Sequence, residues 1–159
     1  MSRLSGETTG MTRTRAAERE LHFVTFLLGE WEYAIEVADV CGIYHGLAII
    51  PTPDEPEIIT GEIQLATHRI PVVDLRHLLH LPERVGVGWL LVVRHAEDLI
   101  GILVDQVSEV IRVPLQALDP SSNHHAEIPA PGVISAVVHY RDRVIHVPDL
   151  PRLLRECPG

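Results

Sequence analysis

Apolar and polar residues alternate through most of this chain, and the alternation breaks at regular places. In Gly61–Leu79 (GEIQLATHRIPVVDLRHLL), Ile63 and Leu65 alternate with Glu62 and Gln64, the period of a half-buried strand. Thr67-His68 then predicts a polar turn and Ile70–Val73 a second strand. Pro71 has no N–H to donate, which places it at a strand start, a bulge or an edge. Asp74 predicts an N-cap for a short helix with Leu75, Leu78 and Leu79 on one face. Upstream, Leu21–Leu28 and Tyr33–Val37 predict a hairpin around a connector containing Gly29. Ala38–Tyr44 switches to a helical spacing, with Val40 and Ile43 three apart. A short strand around Leu47–Ile50 follows, and Pro51, Pro53 and Pro56 interrupt regular structure. Gly88–Arg94 and Leu99–Val104 predict another hairpin, Asp105–Val110 again reads as helical, and Ile111–Val113 resumes extended structure. Beyond the irregular stretch Ala117–Pro131, Gly132–His139 and Arg143–Val147 predict a last hairpin. Asp149 opens a terminal helix through Leu150, Leu153 and Leu154.

This order of elements occurs twice. Tyr33–Ile43 lies over Ile100–Val110 without a gap, pairing Tyr33 with Ile100, Ile35 with Ile102, Val37 with Val104, Val40 with Val107 and Ile43 with Val110. Gly61–Leu79 lies over Gly132–Leu154, with Gly61 on Gly132, Ile63 on Ile134, Asp74 on Asp149 and a longer turn in the second copy. Each half therefore reads hairpin, short helix, hairpin, short helix. A half of this size is marginal alone, so the two are expected to share a core. Short strands with Pro and Gly favour two small β-barrels related by an approximate two-fold over one flat sheet, with a groove between them.

Composition narrows the function. The chain has 159 residues, 46% of them hydrophobic, enough for a sizeable core. Residues 1–20 are polar without sustained periodicity and read as a flexible tail; residues 21–157 read as the globular domain. No apolar run approaches a membrane span and no signal-peptide segment is present, so the expectation is a cytoplasmic protein without membrane insertion. A net charge of -9 argues against nucleic acid. All thirteen basic residues are arginine, which we read as compositional bias. Two cysteines form no disulfide framework; Cys41, in an apolar segment, reads as a small buried hydrophobe, and Cys157 as free.

Three pieces, FLLGEWEYAIEVADV at 26–40, PVVDLR at 71–76 and IGILVDQVSEVI at 100–111, together resemble the CheW-like domain family over about Phe23–Leu154. These are the adaptors that couple bacterial chemoreceptors to a histidine kinase. The resemblance implies two intertwined five-stranded barrels and no catalysis. It implies as partners the regulatory domain of a CheA-type histidine kinase and the cytoplasmic tip of a chemoreceptor, in swimming or pilus-motility signalling. It places the family's groove residues on Val40, Ile43, Val104 and Val107. The chain departs from the family in two places. Gln64-Leu65-Ala66-Thr67 stands where Asn-Leu-Arg-Gly is usual, and Gly42-Ile43 stands where Glu-Ile is usual. Leu65, Ala66, Thr67 and the displaced cation Arg69 thereby become the candidate determinants of partner specificity.

Other chemistry reads weakly. His77-x-x-His80 and His124-His125 lack the third and fourth ligands of a zinc site, so neither metal nor cofactor is expected. Asp74 and Asp149 look like paired carboxylates, but both precede Leu-x-x-Leu-Leu and read as caps. Trp31 reads as a turn residue and Trp89 as core. The competing class is a regulatory domain that binds a small molecule or metal in the same groove.

Overall fold

The computed structural model describes residues 19–52, 59–79, 81–82, 88–120 and 131–155. Among the described residues eleven strands run β1 (Glu20–Leu28), β2 (Trp31–Glu36), β3 (Val40–His45), β4 (Ile59–Leu65), β5 (His68–Asp74), β6 (Trp89–His95), β7 (Asp98–Val104), β8 (Gln106–Pro114), β9 (Leu118–Asp119), β10 (Ile134–Tyr140) and β11 (Arg143–Pro148). The helices α1 (Leu75–Leu78) and α2 (Leu150–Leu153) follow β5 and β11. The expected caps are in place: the Asp74 carboxylate accepts from the Arg76 N–H and that of Asp149 from the Arg152 N–H.

The strands form two sheets, ordered β8-β1-β2-β11-β10-β9 and β3-β6-β7-β5-β4. Among the described residues neither sheet closes on itself, so the expected barrels are two open, packed sheets, and β9 adds a sixth strand to one of them. The halves are interleaved. The first hairpin, β1–β2, inserts between β8 and β11 of the second half, and the second half's β6–β7 inserts between β3 and β5 of the first. Each insertion ends on a parallel contact, Tyr33 with His146 in one sheet and Val72 with Gly101 in the other. Neither half completes a sheet alone, the physical reason the chain must fold as a unit.

The register corrects two expectations. Both inner hairpins have two-residue turns, bounded by Leu65 and His68 and by Tyr140 and Arg143. Both carry a register shift near their starts, where Ile59 pairs with Val73 and Ile134 with Pro148. The copies therefore match without a gap from Ile59/Ile134 to Leu79/Leu154, and the second turn is not longer. Likewise Ala38–Tyr44 and Asp105–Val110 are not helical. Val37–Asp39 forms a 3-10 turn at the start of the first stretch, and β3 and β8 are strands. Each has a bulge, between Val40 and Gly42 and between Val107 and Glu109. One extra residue in a period of two puts Val40 and Ile43 on one face, a spacing that mimics a helical turn. Cys41 is the extra residue and is exposed, not buried. The expected strand at Leu47–Ile50 is only an isolated bridge between Ile50 and Glu62.

The main core lies between the sheets, where Phe26, Leu28, Tyr33 and Ile35 meet Leu91, Val93, Ile100, Ile102 and Val104, with Leu75, Leu79, Leu150 and Leu154 from the helix turns. Each sheet curls over a smaller core: Phe23, Ala34, Ile111 and Ile145 in one, Ile63, Ile70, Val72 and Leu90 in the other. Trp31 opens β2 and packs partly buried on the main core, edge-on to His146; Trp89 is half-buried and stacks on His45 at 4.5 Å.

Gly61 shows where the two halves diverge. A Cβ there would sit 2.6 Å from the Ile50 carbonyl oxygen, because the Ile49–Ile50 segment crosses over β4. The matching residue in the second half is Ala136. Gly61→Ala is expected to break the Ile50–Glu62 bridge and cost about 1–3 kcal/mol in urea unfolding, the usual cost of overpacking.

Candidate functional site

The face of each sheet that turns toward the main core continues past it at β3 and β8, and the sequence-predicted groove residues fall there. Val40 and Val107 occupy matching positions, half-buried against the main core from opposite sheets. Val104 is fully buried in the main core. Ile43, paired with Leu91, lies on the core-facing side of its sheet yet is 39% exposed. Its partner in the repeat, Val110, pairs with Val24 and is 59% exposed. Val110 is not among the residues singled out from sequence, although the alignment of Ile43 with Val110 carries the signal. Ile43 and Val110 are thus exposed apolar side chains at matching positions of the two edge strands β3 and β8.

The second sequence-predicted set lies elsewhere. Leu65 ends β4 against the smaller core of its own sheet, and Ala66 and Thr67 form the exposed turn, Ala66 with φ at 53°. Arg69 is exposed on β5 and pairs with Glu62 at 3.2 Å. These residues sit at the tip of the β4–β5 hairpin, away from the main core that Val40, Val104 and Val107 share.

One polar staple ties the two sheets together. Asp105, between β7 and β8, accepts from the Gly29 backbone N–H at 2.6 Å, in the β1–β2 turn of the other sheet. It also pairs with both Nε (2.8 Å) and Nη2 of Arg76 in α1, whose Nη1 donates to the Pro82 carbonyl at 2.8 Å. Hydrogen bonding to Asp105 pushes the Arg76 guanidinium pKa above its ordinary value, against the opposing effect of burial. The repeat places Ala38, Ala96 and Pro151 at the matching positions, so the staple is built once.

Of the candidate histidines, His77 is exposed on α1; His80, His124 and His125 lie outside the described residues, as do residues 1–18 of the tail expected at 1–20, whose last residue, Glu20, instead opens β1. Among the described residues no helix is long and apolar enough to cross a membrane.

A pseudo-symmetric pair of β-sheets exchanging hairpins around a shared apolar core defines the class of protein. The family model of the CheW-like domain matches residues 22–157, and the chain belongs to that family. The chemotaxis protein CheW of Helicobacter pylori is 30% identical over 65% of this chain and 64% of its own length. CheW of Klebsiella aerogenes is 24% identical, covering 97% of this chain and 87% of that protein. The crystal structure of the scaffolding protein CheW from Thermoanaerobacter tengcongensis matches with a TM-score of 0.78 at 25% identity, over 87% of this chain and 95% of that one. The chain spans a little under two thirds of the length of some curated relatives, 64% for H. pylori and 60% for Treponema pallidum CheW.

Proposed function

We propose that this chain is a non-catalytic adaptor of bacterial chemosensory signalling, acting in the cytoplasm to couple chemoreceptors to a CheA-type histidine kinase. The observation that carries this reading is the pair of exposed apolar side chains, Ile43 and Val110, at matching positions of the edge strands β3 and β8, in a chain of the CheW-like family. An amphipathic helix, such as the tip of a receptor's helical hairpin, lays its apolar face against side chains of this kind. Val40 and Val107 lie on the same two strands, and Val104 in the main core against which they pack. The β4–β5 tip, Leu65 to Thr67 with Arg69, supplies a second surface for the kinase's regulatory domain, and its departure from the usual family turn tunes which partner is accepted.

Ile43→Asp and Val110→Asp test the groove, since both side chains are exposed and their loss leaves the core intact. Each is expected to weaken binding of a receptor-tip helical hairpin at least about tenfold by calorimetric titration, with the melting temperature nearly unchanged. Wild-type affinity in either folded variant refutes the groove assignment.

A further inference from the structure

The pseudo-two-fold makes each end of the fold a control for the other. At the end of the six-stranded sheet, Arg143 donates Nε and Nη2 to Glu32 at 3.2 and 2.8 Å, and its Nη1 meets Glu109 at 2.8 Å. Its guanidinium lies over the Tyr140 ring, 5.2 Å from the centroid. These side chains close the end of that sheet's smaller core with a polar lid. At the matching positions of the five-stranded sheet stand His68 for Arg143, Leu99 for Glu32, Gly42 for Glu109 and Leu65 for Tyr140. With none of the lid's charges in place, a cavity of about 690 Å³ opens there, in the size range of small-molecule sites.

The lining of this cavity has a distinct charge pattern. Ile70 and Leu99 belong to or pack on the sheet's smaller core and form an apolar floor. Arg94 pairs across the strands with Leu99, which sets its guanidinium beside that floor, and its Nη2 lies 3.7 Å from Cys41 Sγ. Glu97 and Asp98 line the cavity from the adjoining turn, and no ion pair among the described residues joins them to Arg94. Arg69, also in the lining, is already answered by Glu62.

We propose that the cavity binds a small zwitterion with an apolar side chain, the pattern of an apolar α-amino acid. The carboxylate pairs with Arg94, the ammonium with Asp98 and Glu97, and the side chain covers Ile70 and Leu99. A simple anion would face two carboxylates and a simple cation two guanidiniums, whereas a ligand carrying both signs meets an opposite charge at each end. The site lies apart from Val40, Ile43, Val107 and Val110 but takes in Arg69 of the proposed kinase surface, so binding of a receptor-tip helix tests the adaptor reading separately.

Calorimetric titration of the full chain with phenylalanine, phenylalaninamide and N-acetylphenylalanine tests this. Saturable binding of phenylalanine is expected, weaker for both derivatives, each of which removes one charge. Arg94→Gln, at an exposed side chain, is expected to weaken phenylalanine binding at least about tenfold, as loss of a charge-assisted pair does. The double variant His68→Arg/Leu99→Glu restores two members of the lid and is expected to abolish binding while keeping a cooperative melt. Absence of saturable binding, equal binding of all three probes, or wild-type affinity in Arg94→Gln overturns the proposal.

Discussion

Asp105→Ala is expected to destabilise the fold by about 3–4 kcal/mol, more than any other single surface-proximal change. Its carboxylate satisfies two partners from two different elements, the Arg76 guanidinium and the Gly29 N–H. The Arg76 side chain is only 13% exposed and that of Asp105 22%, so water replaces little of what is lost. Removing the acid leaves a largely buried guanidinium without its carboxylate, the case in which breaking an ion pair costs far more than the pair contributes, while the exposed Gly29 N–H turns to water. For a chain of this length the loss corresponds to roughly 10 °C in melting temperature. Arg76→Ala is expected to cost less, because Asp105 keeps its bond to Gly29. The double variant should then lose clearly less than the two single losses added together, the mark of direct coupling. An Asp105→Ala protein that unfolds within about 1 kcal/mol of wild type would refute the staple.

The staple also shows where sequence stops being informative. Its three members come from a turn, a strand end and a helix of different halves, and nothing local marks Gly29 or Asp105 as partners of Arg76. The hairpins, by contrast, are legible, because alternating burial and Asp caps are local. So is the two-fold repeat, since both copies bury the same positions. The hairpin exchange is not, because a sheet's strand order depends on long-range pairing that periodicity does not encode. One mismatch between sequence and structure has a local cause, the β-bulge. At Cys41 and Ser108 an extra residue shifts the apolar spacing from two to three, and the strand imitates a helical turn. In the second hairpins the sequence alignment sets Gly61 on Gly132, whereas the strand pairing, with its register shift at the same place in both copies, makes Ala136 the counterpart of Gly61. The groove is partly legible for the same reason as the repeat: Val40 and Val107 align in sequence and flank one core in space. Val110 is the residue the alignment already holds.

Tyr33→Phe is expected to stabilise the protein, and increasingly so at high pH. Tyr33 is fully buried in the main core, stacked on Phe26 at 6.0 Å, and its hydroxyl meets no hydrogen-bond partner among the described residues. A buried, unsatisfied hydroxyl costs about 1–2 kcal/mol that phenylalanine does not incur, while the ring packing is kept. Burial also pushes the Tyr33 pKa from its ordinary 10.0 up to about 12. The folded state therefore holds this proton where the unfolded chain releases it. The sign follows: below pH 10 the group contributes its full share, and as pH climbs through 12 ionisation of the unfolded chain withdraws about 2 kcal/mol. Phenylalanine has no such proton, so the stability gap between Tyr33→Phe and wild type should be near 1–2 kcal/mol at neutral pH. It should then widen by about 2 kcal/mol by pH 12, measured by urea unfolding at each pH. A gap that stays flat across that window would mean the Tyr33 hydroxyl reaches solvent or a partner when the chain moves, and that the core between the sheets opens more readily than its packing implies.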